Sequence, residues 1–325
     1  MAPVGGLVAV HAHPDDETLS TGALLATWAQ AGRPVTVVTC TRGERGEVIG
    51  DVLAHLEGDG PALAAHRESE LAAALAALGV TDHVFLDRVP ATSGRPAGSP
   101  EEARYEDSGM AWLGTGQAGS ATDVPAHAFV AEPVDHAATR LAHVLRTRRP
   151  DVVVTYEPRG GYGHPDHVRA HEVTRRAVEL AAHAGDAHAD AFDVPAVLWA
   201  AQREGALRAG YRALRDPAVT RALGVAGAHL ALPDPDGDLP SVAVPDDAVH
   251  VEVDVLPVRD AVLAALRAHA TQVQAVHAVD GTADLVACYA LSNDVLAPVL
   301  PVEAYRWASG APGTLDRPAG VRPVA

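Results

Sequence analysis

Residues 7–17 read LVAVHAHPDDE. Leu7 to Val10 is a short apolar run of buried-strand character, and a polar turn follows it at once. From Thr18 to Ala31 the apolar positions Leu19, Leu24, Leu25 and Trp28 recur at helical spacing, and Gly32 stops the run. The same unit repeats outward. Val35 to Cys40 reads as a second strand, ended by the charged, glycine-rich segment Arg42 to Gly50. Helices are predicted from about Ala62 to Leu78, over Asp135 to Arg148, and from Pro165 to about Ala184. Strands are predicted over Val84 to Leu86 and Asp151 to Tyr156. Short, wholly apolar strands alternating with helices predict an α/β fold with a mostly parallel sheet covered on both faces.

The pattern weakens beyond residue 190, where we place a soft boundary. Val197 to Ala200 and the alternating VHVEVDV of residues 249–255 read as strands, and Val258 to Ala270 as a helix. The stretch from Pro233 to Asp247 and the tail after Ser309 read as loops. So does Pro90 to Pro133, rich in Gly, Pro, Ser and Ala; a loop of that length is usually functional or disordered.

The chain has 325 residues, 48% of them apolar, enough for a sizeable core. Its 42 acidic residues outnumber 25 basic ones, a net charge of −17, so nucleic acid and anionic membranes are poor partners. The longest nearly continuous apolar run, Leu71 to Val80, is half a membrane span. No basic-then-apolar leader precedes the first strand, and Cys40 and Cys288 make neither a CxxC motif nor a disulfide framework. The expectation is a soluble, cytoplasmic protein of undetermined oligomeric state. All basic residues are Arg, which excludes a Schiff-base lysine and a lysine P-loop.

Two segments carry the chemistry. His11-Ala12-His13-Pro14-Asp15-Asp16-Glu17 follows the first strand; Tyr156-Glu157-Pro158-Arg159-Gly160-Gly161-Tyr162-Gly163-His164-Pro165-Asp166-His167 follows the fourth. In a parallel sheet both strand ends lie on one edge, where open α/β sheets form their ligand crevice. His13, Asp16 and His167 make a usual catalytic zinc set, and Asp15 beside them is a candidate general base. Taken alone, a His-Pro-Asp segment is an ordinary helix start, with Pro in the first turn and an acid against the dipole. Two of them on one sheet edge favour a metal centre.

Other candidates rank lower. His171, four residues after His167, has ligand spacing but reads as a surface or supporting imidazole, and His11 as packed or hydrogen-bonded. Arg67 interrupts the apolar row Leu63, Leu71, Leu75; it either snorkels, pairs with Glu70 or another acid, or reaches the cavity and grips a polar ligand. Residues 114–119 match GxGxxG but follow no convincing strand, so a dinucleotide loop is rejected. Cys40 reads as a small core residue.

These segments resemble the PIG-L/LmbE-type zinc N-deacetylases, whose hallmark is the pairing of His-Pro-Asp-Asp with a downstream His-Pro-Asp-His. VHAHPDDETL (10–19), VTCTRGERGEVIGD (38–51), DSGMA (107–111) and VVVTYEPRGGYGHPDH (152–167) carry the resemblance, with a weaker echo in AHATQV (268–273). It is strongest to the branch that deacetylates an N-acetyl-glucosaminyl-inositol in mycothiol biosynthesis. The resemblance implies a Rossmann-like fold, with residues 1–190 the metal-dependent deacetylase domain and 191–325 a smaller portion completing fold and pocket. It implies one zinc per chain (ferrous iron also suits the set) on His13, Asp16 and His167, and Asp15 as catalytic base. Tyr162 and His164 would act at the carbonyl and leaving group, Asp166 would support them, and Arg67 and Asp107 would bind the amino-sugar inositol substrate. The alternatives are a mycothiol S-conjugate amidase, another metal-dependent sugar N-deacetylase and, more remotely, a metal phosphoesterase. Ala91 to Glu106 and Ala118 to Ala126 depart from the family pattern.

Overall fold

The computed structural model describes residues 5–90, 104–114, 117–183, 190–227, 229–308 and 316–324. The expected loop at 91–103, residues 115 and 116 of the GxGxxG string, and 309–315 of the tail lie outside the described residues. The first half is β1 (Leu7–His11), α1 (Asp16–Gln30), β2 (Val35–Thr39), α2 (Gly60–Leu78), β3 (Asp82–Phe85), the hairpin β4 (Met110–Gly114) and β5 (Gln117–Ser120), α3 (Val134–Arg148) and β6 (Val152–Thr155). A single turn, α4 (Gly160–Gly163), leads into α5 (Pro165–Ala181). Then come β7 (Ala196–Arg203), α6 (Glu204–Ala213), α7 (Pro217–Leu223), β8 (Ala243–Val244), β9 (Val251–Asp254) and α8 (Arg259–Ala268). The strands β10 (Gln274–Ala278), β11 (Ala287–Ala290), β12 (Leu296–Val299), β13 (Val302–Trp307) and β14 (Val321–Pro323) close the chain.

The main sheet has the order β14-β9-β13-β7-β6-β1-β2-β3, with β8 beside β7. Neighbours from β7 to β3 are parallel, while β13, β9 and β14 are joined antiparallel. Strand order reverses between β1 and β6, the switch point where open α/β sheets bind ligands. β1 and β2 are buried throughout, and alternate residues feed two cores. Leu7, Ala9 and Val37 pack toward α1, α2 and α8; Val8, Val10 and Val38 pack toward α3 and α5. The expected α/β sandwich with helices on both faces is therefore what forms.

Some elements differ from the sequence reading. α2 starts earlier, because Asp59 caps it by accepting from the Ala62 N–H and Pro61 follows inside the first turn. The described residues of the rejected GxGxxG string, Gly114 and 117–119, lie in the paired antiparallel strands β4 and β5, so part of the expected 90–133 loop is strand. β10, β11 and β12 form a separate antiparallel sheet that the weak C-terminal pattern did not announce. No helix among the described residues is long and apolar enough to cross a membrane.

Candidate metal centre

β1 ends at His11, and the chain turns through Pro14 and Asp15 into the first turn of α1. β6 ends at Thr155, and the second segment turns through α4 into α5, whose cap is His164. Three side chains from these two turns converge, with one oxygen of Asp16 facing each imidazole. His13 Nδ1 is 3.2 Å from Asp16 Oδ2, His167 Nε2 is 3.3 Å from Asp16 Oδ1, and the two ring nitrogens are 3.3 Å apart. Ligand atoms held tetrahedrally on one zinc at about 2.0–2.1 Å stand about 3.3–3.4 Å from one another, so the spacing fits a single cation.

The remaining ring nitrogens decide which faces are available. His13 Nε2 faces Asp166 Oδ2 at 3.3 Å, and His167 Nδ1 faces the Gly160 carbonyl at 3.0 Å. Both imidazoles thus turn their outer nitrogen to an acceptor and their inner nitrogen to the cluster, the arrangement common around metal-ligating histidine. Asp166 is itself fixed by the Ser108 N–H (2.8 Å) and hydroxyl (2.5 Å). Ligand atoms of His13, Asp107, His164 and Asp166 also gather within 4.8 Å, as do those of His13, His164 and His167. The four-residue group uses the face of His13 that Asp166 already occupies, which makes it a supporting layer.

Electrostatics agree with a cation site. Burial disfavours a charged His13, yet Asp107, Asp16 and Asp166 outweigh it and raise its pKa well above 6.5. Asp107 lies 3.7 Å from His13 Nε2; burial works against its charge, but His13 and His164 hold it down at about 2. His164 is the opposite case. Burial and the imidazoles of His13 and His167 hold its pKa well below the usual value. Its Nδ1 accepts the Asp166 N–H at 3.1 Å, so the neutral ring carries its proton on Nε2.

Asp15 has φ 108° and ψ −35°, a conformation L-residues rarely take. Its side chain keeps 13% exposure. Burial pushes its carboxyl up to about 6 against the pull of Arg67, whose Nη2 stands 3.4 Å from Oδ1. Arg67 also donates to the carbonyls of Gly43 (2.6 Å) and Pro14. The Arg in the apolar row of α2 is therefore a buried residue paired with an acid, and that acid is Asp15; Glu70 instead accepts from Thr271. Tyr162 turns its ring edge to His167, with centroids 5.0 Å apart, and burial holds its hydroxyl proton firmly.

His11 is hydrogen-bonded to Thr21 at 3.0 Å, and His171 to the Tyr156 carbonyl at 2.9 Å; both are buried outside the three-residue cluster. Cys40 is buried just beyond β2. Four residues of the site were not singled out from sequence. Tyr156 stacks on His167 (4.2 Å, 16°) while its hydroxyl accepts the Ala12 N–H at 2.8 Å. Glu157 accepts from the Arg159 and Gly161 N–H groups and from Ser241, fixing the second turn. Glu17 and His269 form a fully buried ion pair at 2.8 Å. Tyr156 and Glu157 stand inside the quoted motif, and His269 inside AHATQV, so each had a sequence signal without an assigned role. A cavity of about 690 Å³ is lined by Asp16, Tyr156, Tyr162 and His167 together with residues of β7, β12 and β13.

Fold and site together define a Rossmann-like α/β enzyme with a His/Asp cluster able to hold a cation at the carboxyl edge of its sheet. The sequence family described as PIG-L, GlcNAc-PI de-N-acetylase, matches residues 8–178, and the chain belongs to that family. It is accordingly a hydrolytic N-deacetylase of a metal-dependent class. It is 47% identical over 310 residues to the 1D-myo-inositol 2-acetamido-2-deoxy-alpha-D-glucopyranoside deacetylase of Kineococcus radiotolerans, covering 94% of this chain and 77% of that one. Proteins of the same name from Nocardioides sp. and Streptomyces griseus are each 41% identical, covering 96% of this chain and 94% and 85% of theirs.

Proposed function

We propose that this enzyme hydrolyses the N-acetyl group of 1D-myo-inositol 2-acetamido-2-deoxy-α-D-glucopyranoside, releasing acetate and the free amine, in the cytoplasm and as a step of mycothiol biosynthesis. The names of its relatives support the substrate. The observation that carries the reaction is the 3.2–3.3 Å triangle of His13 Nδ1, Asp16 and His167 Nε2 with the strained Asp15 beside it.

The donor set, two imidazoles and a carboxylate, suits zinc. When bound there, such an ion acts as a Lewis acid toward the acetyl carbonyl and lowers the pKa of water. Asp15 takes the proton of the attacking water, and a carboxyl poised at about 6 suits a base that must then return it. His164, neutral with its proton on Nε2, and Tyr162 donate toward the carbonyl oxygen as it gains charge. The C–N bond breaks as the amine takes a proton from Asp15, leaving acetate. Asp166 keeps His13 oriented, and Arg67 and Asp107 hold the polar sugar-inositol end.

The test is acetate release from this substrate by the zinc-loaded protein. Asp15→Asn should keep zinc and lose about 10²–10⁴ in kcat, whereas His13→Ala should lose both zinc and turnover. Retained turnover in Asp15→Asn, or faster cleavage of a mycothiol S-conjugate than of the N-acetyl substrate, would overturn the reading.

A further inference from the structure

We propose that His269 is a positioning residue for Asp15, acting through Glu17 from the far end of the chain. The inference rests on the reading of Asp15 as the catalytic base. Asp15 holds a positive φ of 108° without glycine's freedom, so its neighbours must impose that backbone. One restraint is on Pro14, whose carbonyl accepts from Arg67. The Asp15 carbonyl accepts the first helical N–H groups of Thr18 and Leu19, and the Asp15 N–H itself donates to Glu17 Oε2 at 2.9 Å.

Glu17 cannot hold that N–H unless its own carboxylate is fixed. Its Oε1 accepts from the Thr18 hydroxyl at 2.5 Å and from His269 Nε2 at 2.8 Å. Both Glu17 and His269 are fully buried, so no bulk solvent competes for these contacts. Thr18 is the next residue on the same helix and moves with it; His269 comes from another element and ties Glu17 to it. His269 follows α8, and its carbonyl accepts the N–H groups of Gln272 and Val273. Two residues on, Thr271 is bound to Glu70 of α2 by its N–H (2.8 Å) and hydroxyl (2.6 Å), while its carbonyl accepts the Ile49 N–H (2.9 Å). The 269–272 turn thus pins α1, α2 and the loop after β2 together, and its imidazole sets the Glu17 carboxylate that sets Asp15.

A merely structural ion pair would contribute to folding and leave turnover per folded molecule unchanged. The discriminating experiment is a double-mutant cycle on the zinc-loaded full chain, reading kcat, KM, zinc content and thermal midpoint. His269→Leu should lower kcat by about 10–100-fold, the range typical of outer-shell partners, with zinc retained and KM within about twofold. His269→Gln, which can still offer an N–H to Glu17, should recover most of that loss. In the Asp15→Asn background His269→Leu should add little, because the residue it positions is already gone. Wild-type kcat in His269→Leu, or its full loss repeated on top of Asp15→Asn, would overturn the proposal. If His269→Leu does not fold, Glu17→Gln takes its place in the cycle under the same criteria. Turnover surviving in Asp15→Asn alone defeats the assignment of the base; a dead Asp15→Asn with an indifferent His269→Leu defeats only the positioning.

Discussion

Gly160 takes φ +69°, and a Cβ there would stand 2.7 Å from His167 Cβ and 2.9 Å from the Val168 nitrogen. Its carbonyl is the acceptor that orients the His167 ring. A methyl group at this point therefore pushes on the proposed ligand His167 and on the acceptor that aims it, while also straining the backbone. Gly160→Ala should lower zinc affinity about 10–100-fold, measured by competition with a chelating dye; unchanged affinity would show that the turn does not aim His167. Much of the centre is legible residue by residue, because His13, Asp16 and His167 are types with few other uses at paired strand ends. Tyr156 and Glu157 were harder to read. Their place in the motif was visible, but a tyrosine or glutamate after a strand shows no role until the ring is seen on His167 and the carboxylate on the Arg159 and Gly161 N–H groups.

Among the elements, α1 depends on a strand far from it in sequence. The Ala23 and Leu24 N–H groups donate to the Glu303 carboxylate at 2.7 and 2.9 Å, and the Tyr305 hydroxyl reaches both Glu303 (2.7 Å) and the Ser20 carbonyl (3.4 Å). β13 thereby fastens the helix that presents Asp15 and Asp16. Burial pushes Glu303 up to about 7 from 4.5, against those backbone donors and Tyr305. Between these two pH values the native state binds more protons than the unfolded chain, so this group's contribution to stability falls as pH rises. Urea unfolding across that range should show wild type losing stability relative to Glu303→Gln as pH increases. Parallel curves would mean that Glu303 does not titrate there. None of this was visible beforehand, since an isolated VEAYRW strand shows neither its place beside β7 nor the helix it meets. Apart from the β4–β5 hairpin, the main first-half elements were legible because each has its own period or its own stop signal, such as Gly79 in the left-handed cap of α2.

At the scale of the whole molecule, the sheet order does what sequence distance conceals. Placing β6 next to β1 brings His13 and His167, 154 positions apart, to a 3.3 Å approach over the switch point. That meeting could be argued in advance from parallel topology alone. The covering of the cavity could not, because β10 to β12 are short, Ala-rich strands whose pairing comes from contact with one another, of β10 with α7 and α8, and of β12 with α6. The central claim is that one cation is gripped by His13 Nδ1, Asp16 and His167 Nε2 together. A crystal of the zinc-loaded protein, with anomalous data collected at the zinc edge, tests it most directly. The account predicts a single peak within bonding distance of those three residues, with His13 Nε2 still turned to Asp166. A peak held instead by His13 Nε2, His164 and Asp107, or no peak at the strand ends at all, would contradict it.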